Sequence, residues 1–290
     1  MAEAVNKMKV NDVSFSLKEP HSFDWLMDLG KVFTVFDQQD SGNLSFGVMI
    51  KGQKKFVKYA GASTIHYSGD PQDAIDKLKA SRHLYHALEH PALIQFEYGL
   101  ELPNGYAMVF DWFEGEGLHN HWRYPPPLKE TDPDSPFRRF RERPIHKRLS
   151  AFQQVLAFHV EVEKRGFVAV DFYDGSLLYN FQADQLRICD IDEYRKKPFI
   201  NDMGRLWGST RFMSPEEFTL GASIDSRTNV FNMGALAFVL LGGGLDRSYS
   251  KWEAGPRLFD IARKAVEEDP GMRYPSVDEL TAVWVEASTE

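Results

Sequence analysis

The pattern of apolar positions near the start of the chain predicts three consecutive β-strands. Segments rich in β-branched and aromatic residues cover Lys31–Gln39, Leu44–Ile50 and Lys54–Ala60. The turn-forming residues Asp40–Asn43 separate the first two segments, and Lys51–Gln53 separates the last two. Because both connections are tight, we expect the three strands to pair as an antiparallel meander.

The following segment, Ser68–Pro91, changes from a strand period to a helical one. Asp70 can cap the helix, Pro71 suits its first turn, and Pro91 stops it. The apolar face of this predicted helix comprises Ile75, Leu78, Tyr85 and Leu88. Two more strands, Ala92–Leu102 and Tyr106–Phe113, follow it and are joined by a Pro-Asn-Gly turn.

The character of the chain changes after Gly117. His119–Pro144 is rich in proline and charge without a period, which predicts a loop or an irregular pair of helices. A helical pattern returns at Lys147–Gly166, with Leu149, Phe152, Leu156 and Val160 facing inward. The remaining predicted elements are short strands near Phe167–Val170, Leu177–Asn180 and Leu186–Cys189, and helices at Asn229–Leu241, Gly255–Glu267 and Val277–Glu286.

A β-rich first third followed by a helical remainder indicates an α+β fold in two lobes. We expect an N-lobe over residues 1–113, with residues 1–22 as a flank, and a C-lobe over residues 114–290. The hinge between them is expected near residues 111–117. The 290-residue length is sufficient for two such lobes.

Composition excludes several classes of protein. The chain has 34 Lys and Arg against 42 Asp and Glu, a net charge of −8, which argues against a protein held to nucleic acid by phosphate contacts. Cys189 is the single cysteine, so an internal disulfide scaffold and a zinc ribbon are excluded. The N-terminus lacks the pattern of a signal peptide, and the longest apolar run, Met233–Leu245, is too short to span a membrane. We therefore expect a cytoplasmic protein without a membrane span.

Candidate chemistry is carried by three positions. Lys58 lies on a strand otherwise suited to burial, and Asp171 and Asp190 each follow an apolar strand, 19 positions apart. Taken singly, the lysine reads as a surface residue and the aspartates as turn residues. If the two strands pair as a hairpin, both carboxylates reach one rim, where they can hold Mg²⁺ and orient a hydroxyl. A lysine would then complete a phosphate clamp.

Several segments resemble the protein kinase superfamily in its eukaryotic-like (Hanks-type) form. The most specific, Gly208–Glu216, reads G-S-T-R-F-M-S-P-E and resembles the G-T-x-x-Y-M-A-P-E stretch that closes the activation segment. Asn229–Gly234 resembles D-V-x-S-x-G, and Asp269–Ser276 resembles D-P-x-x-R-P-S. Upstream, Glu89–Ile94 resembles the H-P-x-I-V helix exit, and Val109–Leu118 resembles the hinge.

This resemblance, which covers about Val32 to Val283, implies a bilobal protein-kinase-like fold and assigns roles to single residues. Lys58 matches the lysine that holds the ATP phosphates, Asp171 the aspartate that receives or orients the substrate hydroxyl proton, and Asp190 the aspartate that binds Mg²⁺. The remaining nucleotide-binding positions that it implies are Gly42, Gly47, Phe110, Asp111, Phe113 and Leu178, with Phe110 as gatekeeper and Leu178 as the adenine floor. It also implies an ion pair between Glu216 and Arg273.

The C-terminal half departs from the family pattern. The H-R-D arginine is Val170, and residues 193–208 contain no Ser or Thr, so switching by phosphorylation there is not expected, except at Tyr194. The second metal ligand, usually Asn, is Ser176, and Asp174 is a candidate to assist it. Two further departures are Tyr173 in place of the catalytic-loop lysine and Asp190-Ile191-Asp192 in place of D-F-G.

The N-terminal half departs as well. Ser81 stands where a helix glutamate should pair with the strand lysine, with Asp73 or Asp76 as possible substitutes. Leu44 replaces the middle glycine of the phosphate-covering loop, and Phe56 replaces the small residue above the adenine.

Two lesser features keep alternative interpretations. His119 and His121 lie two positions apart, but they lack the further ligands that a metal site requires. A basic run either docks an acidic partner or forms a solvated face. It comprises Arg138, Arg139, Arg141, Arg143, Lys147 and Arg148.

The resemblance implies an ATP- and Mg²⁺-dependent phosphotransferase, a non-RD serine/threonine protein kinase that acts on a protein hydroxyl. Two alternatives stay open. The missing helix glutamate, Ser176 and Phe56 fit a pseudokinase that binds or scaffolds partners, and Tyr173 fits a small-molecule phosphotransferase of the aminoglycoside type.

Overall fold

The computed structural model describes residues 5–289, and the chain separates into two compact units. The N-terminal unit extends to Glu89 and includes Ile94–Phe113. The C-terminal unit comprises His90–Leu93 and the chain from Glu114 onward. The secondary structure is mixed α and β, which is compatible with the predicted α+β class.

The N-terminal unit is built on one antiparallel sheet. Its elements are β1 (Asn6–Val10), β2 (Val13–Leu17), α1 (Asp24–Leu29), β3 (Lys31–Phe36), β4 (Asn43–Ile50), β5 (Gln53–Ala60), α2 (Pro71–Ala87), β6 (Phe96–Leu102) and β7 (Gly105–Asp111). The sheet order is β3-β4-β5-β7-β6, with β3, β4 and β5 paired as the predicted meander. The sequence-based prediction treated residues 1–22 as a flank and missed β1, β2 and α1.

Different elements pack on the two faces of this sheet. Phe46, Val57 and Tyr59 point to one face, where they pack with buried Phe15 and Phe23 of the N-terminal segment. Residues at the alternate strand positions point to the opposite face. There α2 packs on β5 and β7. Lys58, which alternates with Val57, lies on the α2 side.

Helix α2 follows its predicted cap and face. The Asp70 carboxylate accepts a hydrogen bond from the Gln72 amide at 2.8 Å, and Pro71 is the first helical residue. The predicted apolar face is buried. The helix ends at Ala87, before Pro91, so proline lies beyond the C-terminus rather than at it.

The C-terminal unit is mainly helical. Its elements are β8 (Glu116–Gly117), α3 (Leu128–Thr131), α4 (Pro136–Arg141), α5 (Ile145–Lys164), β9 (Phe167–Val168), β10 (Leu177–Asn180), β11 (Gln185–Ile188), β12 (Arg195–Lys196), β13 (Phe199–Ile200), β14 (Ser223–Ile224), α6 (Ser226–Leu241), α7 (Pro256–Ala265) and α8 (Val277–Ser288). Helices α3 and α4 are the irregular pair expected in the proline-rich segment. Helix α6 is buried from Thr228 to Leu241, and α5, α7 and α8 pack around it. On α5, Phe152 and Leu156 face inward as predicted, but Leu149 is only half-buried.

The strand pairing corrects one prediction. The strands that precede Asp171 and Asp190 do not form a hairpin with each other. Strand β9 pairs with β12, whereas β11 pairs with β10. The polar turn between β10 and β11 closes a hairpin of its own, which satisfies the backbone groups of β11 locally. No helix of the described chain is long and apolar enough to cross a membrane.

Candidate active site

The two candidate aspartates adopt the same unusual backbone conformation. Asp171, shortly after β9, has φ of +62°, and Asp190, shortly after β11, has φ of +56°. This left-handed region is uncommon for residues other than glycine, although short polar side chains tolerate it best. Strained backbone tends to occur at functional sites and turns. Asn11, Lys51 and Asp184 share it in hairpin turns, so the conformation alone does not distinguish a functional position from a turn.

The charges of Asp171 and Asp190 contribute to the raised pKa of the same two tyrosines. Burial raises the pKa of Tyr173, and the charges of Asp190 and Asp171 raise it further. Burial likewise raises the pKa of Tyr194, and both carboxylates add to that shift. Because such coupling requires proximity, the C-terminal unit brings the two aspartates to one neighbourhood, by another route than the predicted hairpin.

Ser176 lies next to this neighbourhood. Its backbone carbonyl accepts a hydrogen bond from the Cys189 amide at 2.9 Å, which places Ser176 beside the residue before Asp190. The Ser176 side chain is fully buried, and its hydroxyl has no hydrogen-bond partner among residues 5–289. The Ser176 hydroxyl and the exposed Asp190 carboxylate are both oxygen donors, the type that Mg²⁺ prefers.

Asp174 has different partners from those that the sequence predicts. Its fully buried carboxylate forms a bidentate pair with Arg211, at 2.9 and 3.1 Å, and a second ion pair with Lys129. Nδ1 of His119 lies 3.8 Å from the same carboxylate. Because both oxygens already face cationic side chains, the structure favours a structural role for Asp174 over metal binding.

His119 does not support a metal site either. Burial is the main reason that the pKa of His119 is lowered to about 4, even though the Asp174 charge acts in the opposite direction. Its ring stacks on His121 at 5.6 Å. Within the described range there is no group of three or more His, Cys, Asp or Glu residues that could hold a metal ion.

Leu178 is half-buried on β10. Its register partners are Gly117 of β8 and Arg187 of β11, and the neighbouring Leu177 and Tyr179 point to the buried side. A Cβ built on Gly117 would lie 3.9 Å from Leu178 Cδ2, so the two residues are in contact across the strands. The predicted adenine floor therefore lies on the less buried face of the small sheet.

In the N-terminal unit, Lys58 is central in β5 and 8% exposed. Its register partners are Ser45 on β4 and Met108 on β7. Ser81 of α2 lies within 3.9 Å of the Met108 sulfur, so the position predicted for the helix glutamate does face the strand next to Lys58. The Ser81 hydroxyl donates to its own helix, to the Leu78 carbonyl at 3.0 Å. The serine is thus correctly located, but it is neutral.

The proposed substitutes for the helix glutamate lie elsewhere on α2. Asp73 and Asp76 are on the exposed face of the helix. Asp76 accepts a hydrogen bond from Gln72 at 2.9 Å, which is a surface interaction within one turn. A substitution by either carboxylate would require α2 to rotate.

The connection between β3 and β4 packs against α2. Gly42 has φ of +79°, and a Cβ there would lie 2.8 Å from both Ala74 and Tyr67. Leu44, which replaces the middle glycine, is fully buried in the sheet core. At Gly47 a Cβ would come within 2.6 Å of the Phe33 ring. All three positions therefore have a packing explanation.

Phe110 belongs to a row of aromatic rings on the α2 side of the sheet. Its ring lies 4.9 Å from Tyr85 and 6.1 Å from Phe56, and Phe56 is 6.0 Å from Phe36. Phe56, at the position predicted above the adenine, is thus packed between aromatic neighbours. Any base bound to this face would contact rings rather than aliphatic side chains.

The predicted hinge positions lie at the end of the N-terminal unit. Asp111 is exposed at the end of β7, and its carboxylate accepts a hydrogen bond from Lys55 at 2.6 Å. The same ammonium group donates to Glu97 at 2.7 Å, and these two acids raise the pKa of Lys55. Phe113 is the last residue of the unit.

The ion pair implied by the kinase resemblance is confirmed. Arg273 donates to both oxygens of Glu216, at 2.7 and 2.9 Å, in a buried setting. Burial alone would raise the pKa of Glu216, but the hydrogen bond and the charge of Arg273 outweigh it and lower the pKa. Thr228 adds a hydrogen bond at 2.9 Å, so the carboxylate is well satisfied.

Tyr194, the one hydroxyl expected within residues 193–208, is buried. Its hydroxyl is 3.0 Å from Nε2 of His159, whose Nδ1 lies 2.8 Å from the Val155 carbonyl. If Nδ1 donates to that carbonyl, Nε2 accepts from the tyrosine. Burial lowers the pKa of His159 to about 4, so the imidazole is neutral near pH 7. Tyr194 is therefore part of the core.

The basic run is largely neutralised. Four of its members pair with acids of the same unit: Arg138 with Glu142, Arg139 with Glu116, Arg141 with Glu253 and Arg143 with Asp184. Buried Arg148 also pairs with Glu253, and Lys147 pairs with Asp184. These contacts weaken the interpretation of the run as a docking surface for an acidic partner.

Sequence reasoning missed Lys129, Arg211 and His159. Lys129 lies in the proline-rich segment that has no period, and Arg211 occupies a variable position of the Gly208–Glu216 motif. A buried position cannot be recognised for Lys129 or Arg211, because no periodicity marks an inward face in their segments. His159 differs, since it lies three residues after Leu156 on α5, and the helical period placed it on the inward face.

The chain is distantly similar to a serine/threonine protein kinase. It is 23% identical over 177 residues to serine/threonine-protein kinase pkn2 of Myxococcus xanthus, a match that covers 59% of this chain. The matched region covers 19% of that much longer relative. No model of a protein family matches the chain. The similarity supports a kinase-like relationship and is compatible with the α+β secondary structure.

Proposed function

We propose that the chain is an ATP- and Mg²⁺-dependent phosphotransferase of the non-RD protein kinase type, acting on Ser or Thr hydroxyl groups of a protein. The observation that carries this proposal is the hydrogen bond from the Cys189 amide to the Ser176 carbonyl at 2.9 Å. It joins the segment that contains Asp190 to the segment that contains Asp171, and these positions match the two catalytic aspartates of kinases. The similarity to a serine/threonine kinase supports the same conclusion.

In this proposal each acidic residue has a separate task. Asp171, whose backbone lies beside Gly208, accepts or orients the proton of the substrate hydroxyl. Asp190 and the orphaned Ser176 hydroxyl hold Mg²⁺. When bound, the ion neutralises charge on the phosphate oxygens. Lys58 contributes a positive charge to the nucleotide phosphates.

A second candidate function, a pseudokinase that binds partners without turnover, is favoured by two observations. Ser81 supplies no carboxylate near Lys58, and its hydroxyl is used within α2. Phe56 fills the region above the predicted base position with an aromatic ring. Both features weaken nucleotide binding relative to a kinase that has a glutamate and a small residue at these positions.

The test is transfer of labelled γ-phosphate from ATP with Mg²⁺ to generic protein substrates and, in parallel, to hydroxylated metabolites such as aminoglycosides. We expect acid-stable label on protein Ser or Thr with the wild type and none with Asp171→Ala, because the variant cannot receive the hydroxyl proton. Thermal melting with ATP and Mg²⁺ accompanies the assay.

The alternatives give distinct results. Label on the metabolites alone would support the small-molecule phosphotransferase. A thermal shift without transfer to either class would support the pseudokinase. Equal labelling by wild type and Asp171→Ala would contradict the assignment of Asp171.

A further inference from the structure

The turn Ser209–Phe212 borders the candidate catalytic aspartate. The Phe212 amide donates to the Ser209 carbonyl at 2.9 Å, which closes the turn. A Cβ built on the preceding Gly208 would lie only 3.7 Å from the Asp171 Cα. The position of this turn therefore decides how a hydroxyl substrate can approach Asp171.

One side chain of the turn is anchored deep in the C-terminal unit. Arg211 makes its bidentate contact to Asp174, three residues after Asp171, and Lys129 of α3 pairs with the same carboxylate. Asp174 is fully buried, Lys129 is 3% exposed, and the Arg211 side chain is 26% exposed. We call these three residues the charge clamp.

Both carboxylate oxygens of Asp174 accept hydrogen bonds from cationic side chains of the charge clamp. Arg211 donates to the two oxygens at 2.9 and 3.1 Å, and Lys129 donates to one of them. A bidentate guanidinium–carboxylate pair fixes orientation as well as distance.

The surroundings of this segment are unsuited to a phosphate anchor. Val170, Leu206 and Met203 line a groove of about 260 Å³, together with the acidic residues Asp192 and Glu193. The one basic residue that lines it, Arg195, lies over the Phe199 ring at 4.4 Å. Residues 193–208 offer no Ser or Thr, Tyr194 is buried, and the nearest hydroxyls are those of Ser209 and Thr210 in the turn itself. A phosphate in the groove would face its carboxylates and apolar side chains, and nearby Arg205 already donates to the Gly208 carbonyl at 3.1 Å.

We infer that the charge clamp takes the place of a phosphate anchor: it holds the Gly208–Phe212 turn against Asp171 in the unphosphorylated chain. Asp174 and Arg211 are then positioning residues, which act on substrate through the turn rather than by touching it. The inference deepens the proposed function and depends on it for the kinetic test below, but not for the structural test.

The structural test is hydrogen exchange of the amides of residues 206–212, followed by mass spectrometry. Wild-type protein is compared before and after phosphatase treatment, alongside Arg211→Ala. Arg263→Ala is the control, because Arg263 is an exposed helix residue whose charge pairs only across one turn, with Glu267. We expect exchange to become about tenfold faster in Arg211→Ala and to stay unchanged in the control.

Phosphatase treatment should leave the wild-type rate unchanged. If it raises exchange to the level of Arg211→Ala, a phosphate is the anchor and the inference is wrong. Unchanged exchange in Arg211→Ala would overturn it equally. The wild-type comparison needs no variant, so it can overturn the inference even if Arg211→Ala does not fold.

The kinetic test separates positioning from general damage. Arg211→Ala and Asp174→Asn should raise KM for the protein substrate about tenfold while the Kd for Mg–ATP changes less than about twofold, and Arg211→Lys should restore part of the loss. An equal loss in both constants would mean a purely structural role. If the wild type transfers no phosphate at all, the proposed function fails while the exchange experiment still decides the role of the charge clamp.

Discussion

Among single residues, Arg273 shows how the chain stabilises its C-terminal unit. Its guanidinium donates to both oxygens of Glu216 and also to the backbone carbonyls of Arg227, Glu267 and Glu268. One side chain thus joins the segment after Met213 to the first turn of α6 and to the segment after α7. The partners are buried, so removing the arginine would leave a carboxylate without its counter-charge.

Arg273→Ala should therefore lower the free energy of unfolding by about 3–5 kcal/mol. Arg263→Ala, which removes an exposed pair, should change it by less than about 0.5 kcal/mol. Urea unfolding followed by circular dichroism measures both variants. Equal midpoints for Arg273→Ala and the wild type would contradict the structural role of the Glu216–Arg273 pair.

Glu217 provides a pH-dependent contribution to stability. Burial raises the pKa of its carboxyl to about 7, although Ser214 and Asn232 donate hydrogen bonds to it. The ordinary value for glutamate is 4.5. Between these two values the native state holds a proton that the unfolded state has released, so this group's contribution to stability falls as pH rises through that window.

Glu217→Gln should remove this dependence. The stability of the variant minus that of wild type should be larger at about pH 8 than at about pH 5. Buried His159, whose pKa is lowered, makes stability rise with pH between about pH 4 and pH 6.5, which is the opposite dependence. Only the difference in stability between the variant and wild type is therefore informative. Exposed Glu279→Gln serves as the control. A difference from wild type that is the same at both pH values would contradict the raised pKa of Glu217.

At the scale of elements, the N-terminal segment closes the core of its unit. Phe23, at the start of α1, lies 5.3 Å from Phe15 of β2, 5.6 Å from Phe46 and 5.9 Å from Tyr59. Phe23 is 4% exposed, whereas Met27 on the same helix is 48% exposed. The β1–β2 hairpin and α1 therefore pack over one face of the sheet and bury its apolar side chains.

Phe23→Ala should destabilise the protein by about 3–5 kcal/mol, through lost burial and the cavity that remains. Met27→Ala, its matched control, should have an effect below about 0.5 kcal/mol. Chemical denaturation measures both. If the two variants behave alike, the N-terminal segment does not contribute to the core in this way.

The elements with strong local signals were predictable from the sequence. The β3–β4–β5 meander and the capped helix α2 each have turn or cap residues and a clear period. The hairpin β1–β2 was missed although apolar and polar residues alternate in both strands and Asn11 and Asp12 form the turn between them, so the signal was present in the sequence. The pairing of β9 with β12 joins residues far apart in sequence, which no local pattern specifies.

In the candidate site, too, residues in local motifs were predictable from the sequence, but contacts between distant segments were not. The pair of Arg273 with Glu216, predicted from sequence motifs, is confirmed, whereas the roles of Asp171 and Asp190 stay predictions. The partners of Asp174 were not found, because ion pairs between separate loops depend on tertiary structure alone. This is why Asp174 was assigned to a metal, whereas the structure surrounds it with two cations.

For the whole molecule, the candidate residues are distributed over both compact units. Lys58, Phe110 and Asp111 belong to the N-terminal unit, and Asp171 and Asp190 belong to the C-terminal unit. If the proposed function is correct, substitutions of Asp171 and Asp190 should separate turnover from binding of Mg–ATP.

The measurement that tests the central claim most directly is calorimetric titration of Mg–ATP into wild type, Asp171→Ala and Asp190→Ala. We expect wild type and Asp171→Ala to bind with similar Kd and Asp190→Ala to bind at least about tenfold more weakly, because only Asp190 contributes its carboxylate to the ion. No binding by the wild type, or undiminished binding by Asp190→Ala, would contradict the proposed function.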